Sequence, residues 1–181
     1  MDTELVVQAQ RGDEEAFASL AVAVGNRLHA VAHRILRDLD LAEDATQQAL
    51  LSIWRDLPQL RDPARFEAWS YRLLVRACYA EGRNSRHWTP GLHLVDADEP
   101  MTDSTASVAD RDQLERGFRR LSIDHRAVVV LHHYLDFTLD ETAEALGVPV
   151  GTVRSRLHYA MRGLRAALDA DARPASREAA K

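Results

Sequence analysis

The chain has 181 residues, 46% of them hydrophobic and 6% aromatic, with a formal net charge of -5. That length suits one ordinary domain or two small ones, and that composition supports an aliphatic core and excludes wholesale disorder. The single cysteine, Cys78, excludes an internal disulfide and a cysteine-rich zinc site, and fits a reducing compartment.

The first residues, "MDTELVVQAQRGDEE", lack the basic start and apolar run of a secretory signal, and no apolar stretch approaches the ~20 residues of a membrane span. A cytoplasmic protein without membrane insertion is therefore expected. The acidic total conceals two basic islands. Residues 61–88 hold six arginines against three acids, and residues 147–168 hold four arginines and no acid. Between them, residues 89–112 carry six acids against one arginine. Local charge sets the field that a polyanion meets at contact distance, because salt screens beyond ~8–10 Å.

In chain order the periodic segments read as helices. From Asp13, the residues Phe17, Leu20, Val24, Leu28, Val31 and Ile35 recur at three- and four-residue steps and make one apolar stripe. The spacing of Asp40 and Glu43 predicts a capping box opening a second helix, which Pro58 closes. A third helix is expected to start near Pro63, a favoured first-turn residue, and to run through "ARFEAWSYRLLVRACYAEGRN". No period-two alternation stands out, so no sheet is expected. From Trp88 to about Asp110 the chain turns to Pro, Gly, Ser, Thr and acids, the composition of a linker.

Helical patterning resumes with "RDQLERGFRRLS" and "IDHRAVVVLHHYLDF". Thr138 and Glu141 have capping-box spacing, and Gly147 is placed to end a short helix. The last helix follows and is expected to run to about Ala170. A short helix, a tight glycine-bearing turn and a second helix form a helix-turn-helix pattern. At 100° per residue, Val153, Leu157, Ala160, Met161, Leu164 and Leu168 share one arc, the buried side. Ser155, His158 and Arg162 lie opposite, with Arg154 and Arg156 on the flanks and Thr152 in the first turn. Ordinary solvated faces mix charge signs; this one has arginines to pair with guanine or phosphate, and no carboxylate to repel a DNA backbone.

On these residues the chain resembles a known family. "FTLDETAEAL" followed by "GVPVGTVRSRLHYAMRGLR" is similar to region 4 of bacterial RNA polymerase sigma factors, in the extracytoplasmic-function group. "DLAEDATQQALLSIWRDLPQLRDPARFEAWSYRLLVRACYAEGRNSRH" resembles region 2 of the same group. The resemblance implies an all-helical protein of two small domains joined by a flexible linker: residues 1–88, an acidic linker over 89–111, a helix-turn-helix domain over 112–171, and a tail over 172–181. It implies a factor with no catalytic residues, metal or cofactor, which docks on core RNA polymerase and directs it to promoter DNA.

Residue by residue, the resemblance assigns polymerase binding to Asp44, Gln47, Gln48, Leu51 and Trp54. It assigns the minus-ten element to Arg72, Arg76, Tyr79, Arg83, Asn84 and Arg86, with Phe66 left to packing. Many members carry asparagine where this chain has Cys78, which reads here as a small helical filler. The minus-thirty-five element falls to Thr152, Arg154, Ser155, Arg156, His158 and Arg162. An anti-sigma partner that covers these surfaces is a further implication. The acidic linker, repelled by DNA, is expected to lie in a positive channel of the polymerase.

Two other classes compete. A stand-alone helix-turn-helix regulator accounts for the C-terminal part and leaves the acidic N-terminal helix unexplained. A metal enzyme would have to use His29 and His33, or the adjacent His132 and His133, without any third ligand at a telling spacing.

Overall fold

The computed structural model describes residues 2–88 and 114–178, with the side chains of 85–88 and 169–178 outside that description. Among the described residues every regular element is helical. The elements are α1 (Thr3–Gln10), α2 (Glu14–Leu36), α3 (Leu39–Asp56), α4 (Phe66–Trp88), α5 (residues 114–120), α6 (Ile123–Val129), α7 (Leu139–Leu146) and α8 (Val150–Glu178).

Local chemistry explains most boundaries. Asp13 caps α2 by accepting the Ala16 N–H at 3.0 Å, with Glu14 and Glu15 beside the positive helix end. The helix stops at Arg37, whose backbone is left-handed at φ 61°. That stop decides where α3 begins. Asp38 follows in extended conformation and accepts the Leu41 N–H at 3.0 Å, so the cap is Asp38 rather than the expected Asp40. Asp40 becomes a first-turn acid instead. Pro63 sits in a 3-10 turn, Pro63–Arg65, that leads into α4.

Two features were not expected. The short α1 is held by the buried Val6 and Ala9 and by the Gln10 amide, which donates to the Leu57 and Leu60 carbonyls at 3.1 and 2.7 Å. The backbone of α8 continues to Glu178, past Ala170 and through most of the expected tail. Its alanines and arginines favour helix, against Pro174, which lacks the N–H that an interior helical position donates.

In the C-terminal half Ser122 caps α6, which passes into a π-helical turn over Val130–Tyr134. There the Leu135 N–H donates to the Val130 carbonyl and the Phe137 N–H to the Leu131 carbonyl, each at 3.1 Å. α7 opens on the expected capping box. The Glu141 N–H donates to Thr138 Oγ1 at 3.2 Å, and the Thr138 N–H donates to Glu141 Oε2 at 2.8 Å. Gly147 closes the helix at φ 67°, a left-handed conformation that glycine adopts without strain.

Leu20, Leu28 and Ile35 of α2, Ile53 of α3, and Phe66 and Leu74 of α4 form the N-terminal core. Burying each such side chain stabilises the fold by ~1.5–3 kcal/mol. The same cluster takes in Ala127, Val130, Leu131 and Ala145 from the C-terminal half. A second cluster joins Leu121, Val128, Val129 and Ala143 to Val153, Ala160 and Leu164 of α8. The two helical halves therefore meet along a packed face. The linker expected over 89–111 lies outside the described residues.

Candidate polymerase and nucleic-acid interfaces

Three surfaces carry the residues singled out from the sequence. On α3 the inner side is small and apolar, with Ala42, Ala45, Ala49 and Ile53 buried. The turns of the helix then carry Asp44, Gln47, Gln48, Leu51 and Trp54 outward, and all five are exposed. Leu51 is 61% exposed and Trp54 43%. Two large apolar side chains three residues apart leave an apolar patch in water on this helix. Trp54 is propped from behind by Phe17 of α2, ring centroids 4.5 Å apart in an edge-on arrangement. Phe17, read from the sequence as core alone, thus also positions an exposed aromatic. A three-four spacing within one helix could not reveal that partner.

On α4 the expected residues divide. Arg76, Arg83 and Asn84 are exposed and Arg72 is half-buried. The Arg86 side chain lies outside the described residues. Phe66 is buried, as expected, with Trp69 tilted beside it at 6.0 Å. Tyr79 is turned inward. Its hydroxyl is buried beside Asp124 of α6 and Arg156 of α8, and completes no hydrogen bond of standard geometry. Burial first, then the Asp124 carboxylate, pushes the Tyr79 phenol well above its ordinary 10.0. Cys78 packs in the core, and burial pushes its thiol up to about 12. It is an inert filler at this site.

On α8 the buried arc is Val153, Ala160 and Leu164, with Leu157, Met161 and Leu168 half-buried. Arg154, Ser155, His158 and Arg162 are exposed on the far side. Thr152 is half-buried, and its N–H is spent on the Pro149 carbonyl at 2.8 Å. The Ser155 hydroxyl folds back onto the Thr152 carbonyl at 2.9 Å. Arg156 is half-buried and paired with Asp124 at 3.1 Å. Tyr159, 58% exposed and edge-on to His158 at 5.6 Å, extends this face and was not anticipated.

The halves meet along a seam of mixed chemistry. Phe137, delivered by the π-helical turn, packs edge-on against Tyr71 of α4 at 5.8 Å. Arg65 pairs with Glu144 of α7 at 2.9 Å, and Arg37 pairs with Glu115 of α5. The Arg34 guanidinium lies 4.1 Å from the Tyr134 ring centre. A cavity of about 160 Å³ opens at the seam, lined among others by Arg61, Arg65, Trp69 and Arg72 from one side and Glu141 and Glu144 from the other.

His132 has structural work. His132 Nδ1 lies 2.6 Å from the Phe137 carbonyl oxygen, which can only accept, so that nitrogen carries the proton. Among the described residues no group of three or more His, Cys, Asp or Glu could hold a metal ion. Among them, too, no helix is long and apolar enough to cross a membrane.

Comparison with known proteins places both halves of the chain in one family. The sigma-70 region 2 family matches residues 20–87, and the sigma-70 region 4 family matches residues 111–164. The extracytoplasmic-function RNA polymerase sigma factor SigM of Mycobacterium tuberculosis is 35% identical over 156 residues, 86% of this chain and 78% of that protein. The RNA polymerase sigma-H factor of Pseudomonas aeruginosa is 28% identical over 98% of this chain and 97% of its own length. Among solved structures, CnrH in complex with the cytosolic domain of CnrY superposes with a TM-score of 0.67 at 25% identity, over 94% of this chain and 98% of that one. The Bartonella quintana sigma factor RpoE, solved with the anti-sigma factor NepR, shares the fold with a TM-score of 0.69 at 23% identity, over 86% and 98%. A stand-alone helix-turn-helix regulator would leave the match over residues 20–87 unexplained.

Proposed function

Because the chain belongs to the extracytoplasmic-function group of sigma-70 factors, which bind core RNA polymerase and direct promoter-specific initiation, we propose that its two halves divide that work. Residues 1–88 dock on the polymerase through Asp44, Gln47, Gln48, Leu51 and Trp54. They engage the minus-ten element through Arg72, Arg76, Arg83, Asn84 and Arg86, with Tyr79 joining once it is uncovered. Residues 112–171 read the minus-thirty-five element through the outer face of α8. Arg154, His158 and Arg162 reach bases or phosphates there. Thr152 and Ser155 set the register, and Arg156 joins when Asp124 releases it. Residues 89–111 tether the halves. The protein carries no catalytic step of its own and acts in the cytoplasm beside the polymerase. CnrH was solved with the cytosolic domain of CnrY and RpoE with the anti-sigma factor NepR, and these complexes support an anti-sigma partner for this chain as well.

The observation that carries this reading is the exposed side of α8, where Arg154, His158 and Arg162 stand clear of any carboxylate on their own helix through Leu168. Reconstituted transcription with core polymerase, with start sites mapped genome-wide, tests it. Arg154→Ala with Arg162→Ala should erase dependence on the upstream element while a pull-down still recovers polymerase. Unchanged promoter choice in that variant would remove α8 as the reader.

A further inference from the structure

The outer side of α8 has two unlike flanks. At ~100° per residue, Arg154, His158 and Arg165 fall on one flank and Thr152 and Tyr159 on the other, with Ser155 and Arg162 between them. The first flank is cationic and exposed. The nearest cation to the second is Arg156, which is half-buried and paired with Asp124 at 3.1 Å. The Ser155 hydroxyl is spent on the Thr152 carbonyl at 2.9 Å, and the Thr152 N–H on the Pro149 carbonyl at 2.8 Å. What this flank presents to a partner is the Tyr159 ring, 58% exposed.

A solitary exposed aromatic needs no explanation on an ordinary surface. Tyr159 differs in its setting. It stands one helical turn from both Ser155 and Arg162, and its ring is steadied edge-on by His158, centroids 5.6 Å apart. A large ring fixed in place on a reading face gains by being covered. Phosphate would not cover it best, because phosphate oxygens call for cations and this flank offers none that is free. Thymine suits it. In the major groove thymine alone carries an apolar group, the C5-methyl, beside its O4 acceptor. The ring matches that methyl, whereas a hydroxyl that both donates and accepts selects no base by itself.

Resting on the reading of the minus-thirty-five element by α8, we propose that Tyr159 is a specificity-determining residue whose ring packs against the C5-methyl group of a thymine in that element. The arginines of the other flank hold the helix in the groove. Tyr159 adds a selection they do not make, since a guanidinium pairs with acceptor atoms and not with a methyl group.

Deoxyuridine lacks only that methyl group and keeps the pairing and the O4 acceptor of thymine, so it isolates the contact. Core polymerase loaded with the full-length chain is bound to a promoter duplex found by start-site mapping, with each thymine on both strands of its upstream element replaced in turn. At one position the replacement should weaken wild-type binding about fourfold, the factor that burial of one methyl group corresponds to. Tyr159→Phe keeps the ring and should keep that sensitivity. Tyr159→Ala should bind the thymine duplex more weakly by about fourfold or more, and should no longer tell the two duplexes apart. Its salt dependence should match the wild type, because no phosphate contact is lost.

Tyr159 is mostly exposed, so both variants should melt with the wild type. If Tyr159→Ala does not fold, Tyr159→Gln takes its place. Indifference of the wild type to every uracil overturns the proposal, as does a uracil penalty undiminished in Tyr159→Ala. An upstream element without thymine, or a Tyr159→Phe variant that loses both affinity and uracil sensitivity, overturns it as well. Arg154→Ala with Arg162→Ala on the same duplexes keeps this apart from the reading beneath it. If that variant loses the upstream element while uracil is tolerated, only the role of Tyr159 falls. If it and Tyr159→Ala both bind like the wild type, α8 is not the reader.

Discussion

Truncating Leu51 to alanine separates docking from folding. Burying a whole leucine is worth ~1.5–3 kcal/mol. With 61% of Leu51 still facing water, about 1–2 kcal/mol of that remains to be gained on docking, and only about 1 kcal/mol or less already serves the fold. Leu51→Ala should therefore weaken binding to immobilised core polymerase by about 5- to 30-fold. Its melting temperature should fall by no more than ~4 °C, the shift that 1 kcal/mol produces in a chain of this size. Val22 supplies the internal comparison. It is 78% exposed on α2, outside the α3 face, and Val22→Ala should leave polymerase affinity unchanged. Biolayer interferometry on both variants, with thermal melts of the same samples, gives the ratio. If Leu51→Ala binds like wild type, or Val22→Ala weakens binding equally, the α3 face is not the docking surface.

Other outcomes follow from the same structure. Thr138→Ala removes the side-chain half of the capping box, leaving the backbone N–H on Glu141, and should cost about 1 kcal/mol, read as a lower denaturation midpoint. The Thr138 backbone and side chain hold the Glu141 carboxyl below its ordinary 4.5, so that stabilisation is present above about pH 4.5 and fades as pH falls through the depressed value. The difference between wild type and Glu141→Ala should accordingly shrink in acid, and an undiminished difference at pH 3 would contradict the assignment. Arg154→Ala with Arg162→Ala should reduce the salt dependence of holoenzyme–DNA affinity by about two phosphate contacts, a slope change of ~1.8 on logarithmic axes. A slope identical to wild type would place those arginines off the DNA. Cys78, with its thiol pushed up to about 12, should resist iodoacetamide at pH 8 in the folded protein and react once denatured. The stability that goes with its raised value is full below about pH 9 and is lost as pH rises toward 12, because the unfolded thiol then ionises first. Fast labelling of the folded protein would show that α4 opens there.

Some of this was legible residue by residue. The helix start at Asp13, the cap at Thr138, the left-handed stop at Gly147 and the buried arc of α8 are written in spacings of one to four residues, because the contacts that create them close over that range. The outward set on α3 was legible for the same reason: once Ala42, Ala45, Ala49 and Ile53 define the inner side, the helical repeat fixes the outer one. Asp40 misled because the cap depended on where α2 stopped, and that stop lay at Arg37, a residue with no sequence signature for a left-handed turn. α1 escaped notice because an eight-residue helix has too few repeats to show a period. Its anchor, Gln10, bonds carbonyls at Leu57 and Leu60, near the other end of the domain.

Sequence alone determined that the protein is helical, where its cationic islands lie and which side of each helix is apolar, since all three depend on neighbours a few residues apart. Tertiary structure decided which cations are free. Arg154 and Arg156 differ by two positions, yet one faces water and the other meets Asp124, more than thirty residues earlier. The same packing turned Tyr79 inward and set Phe137 against Tyr71. Pairings over such separations are chosen by the joint packing of whole helices, and no local spacing records that choice.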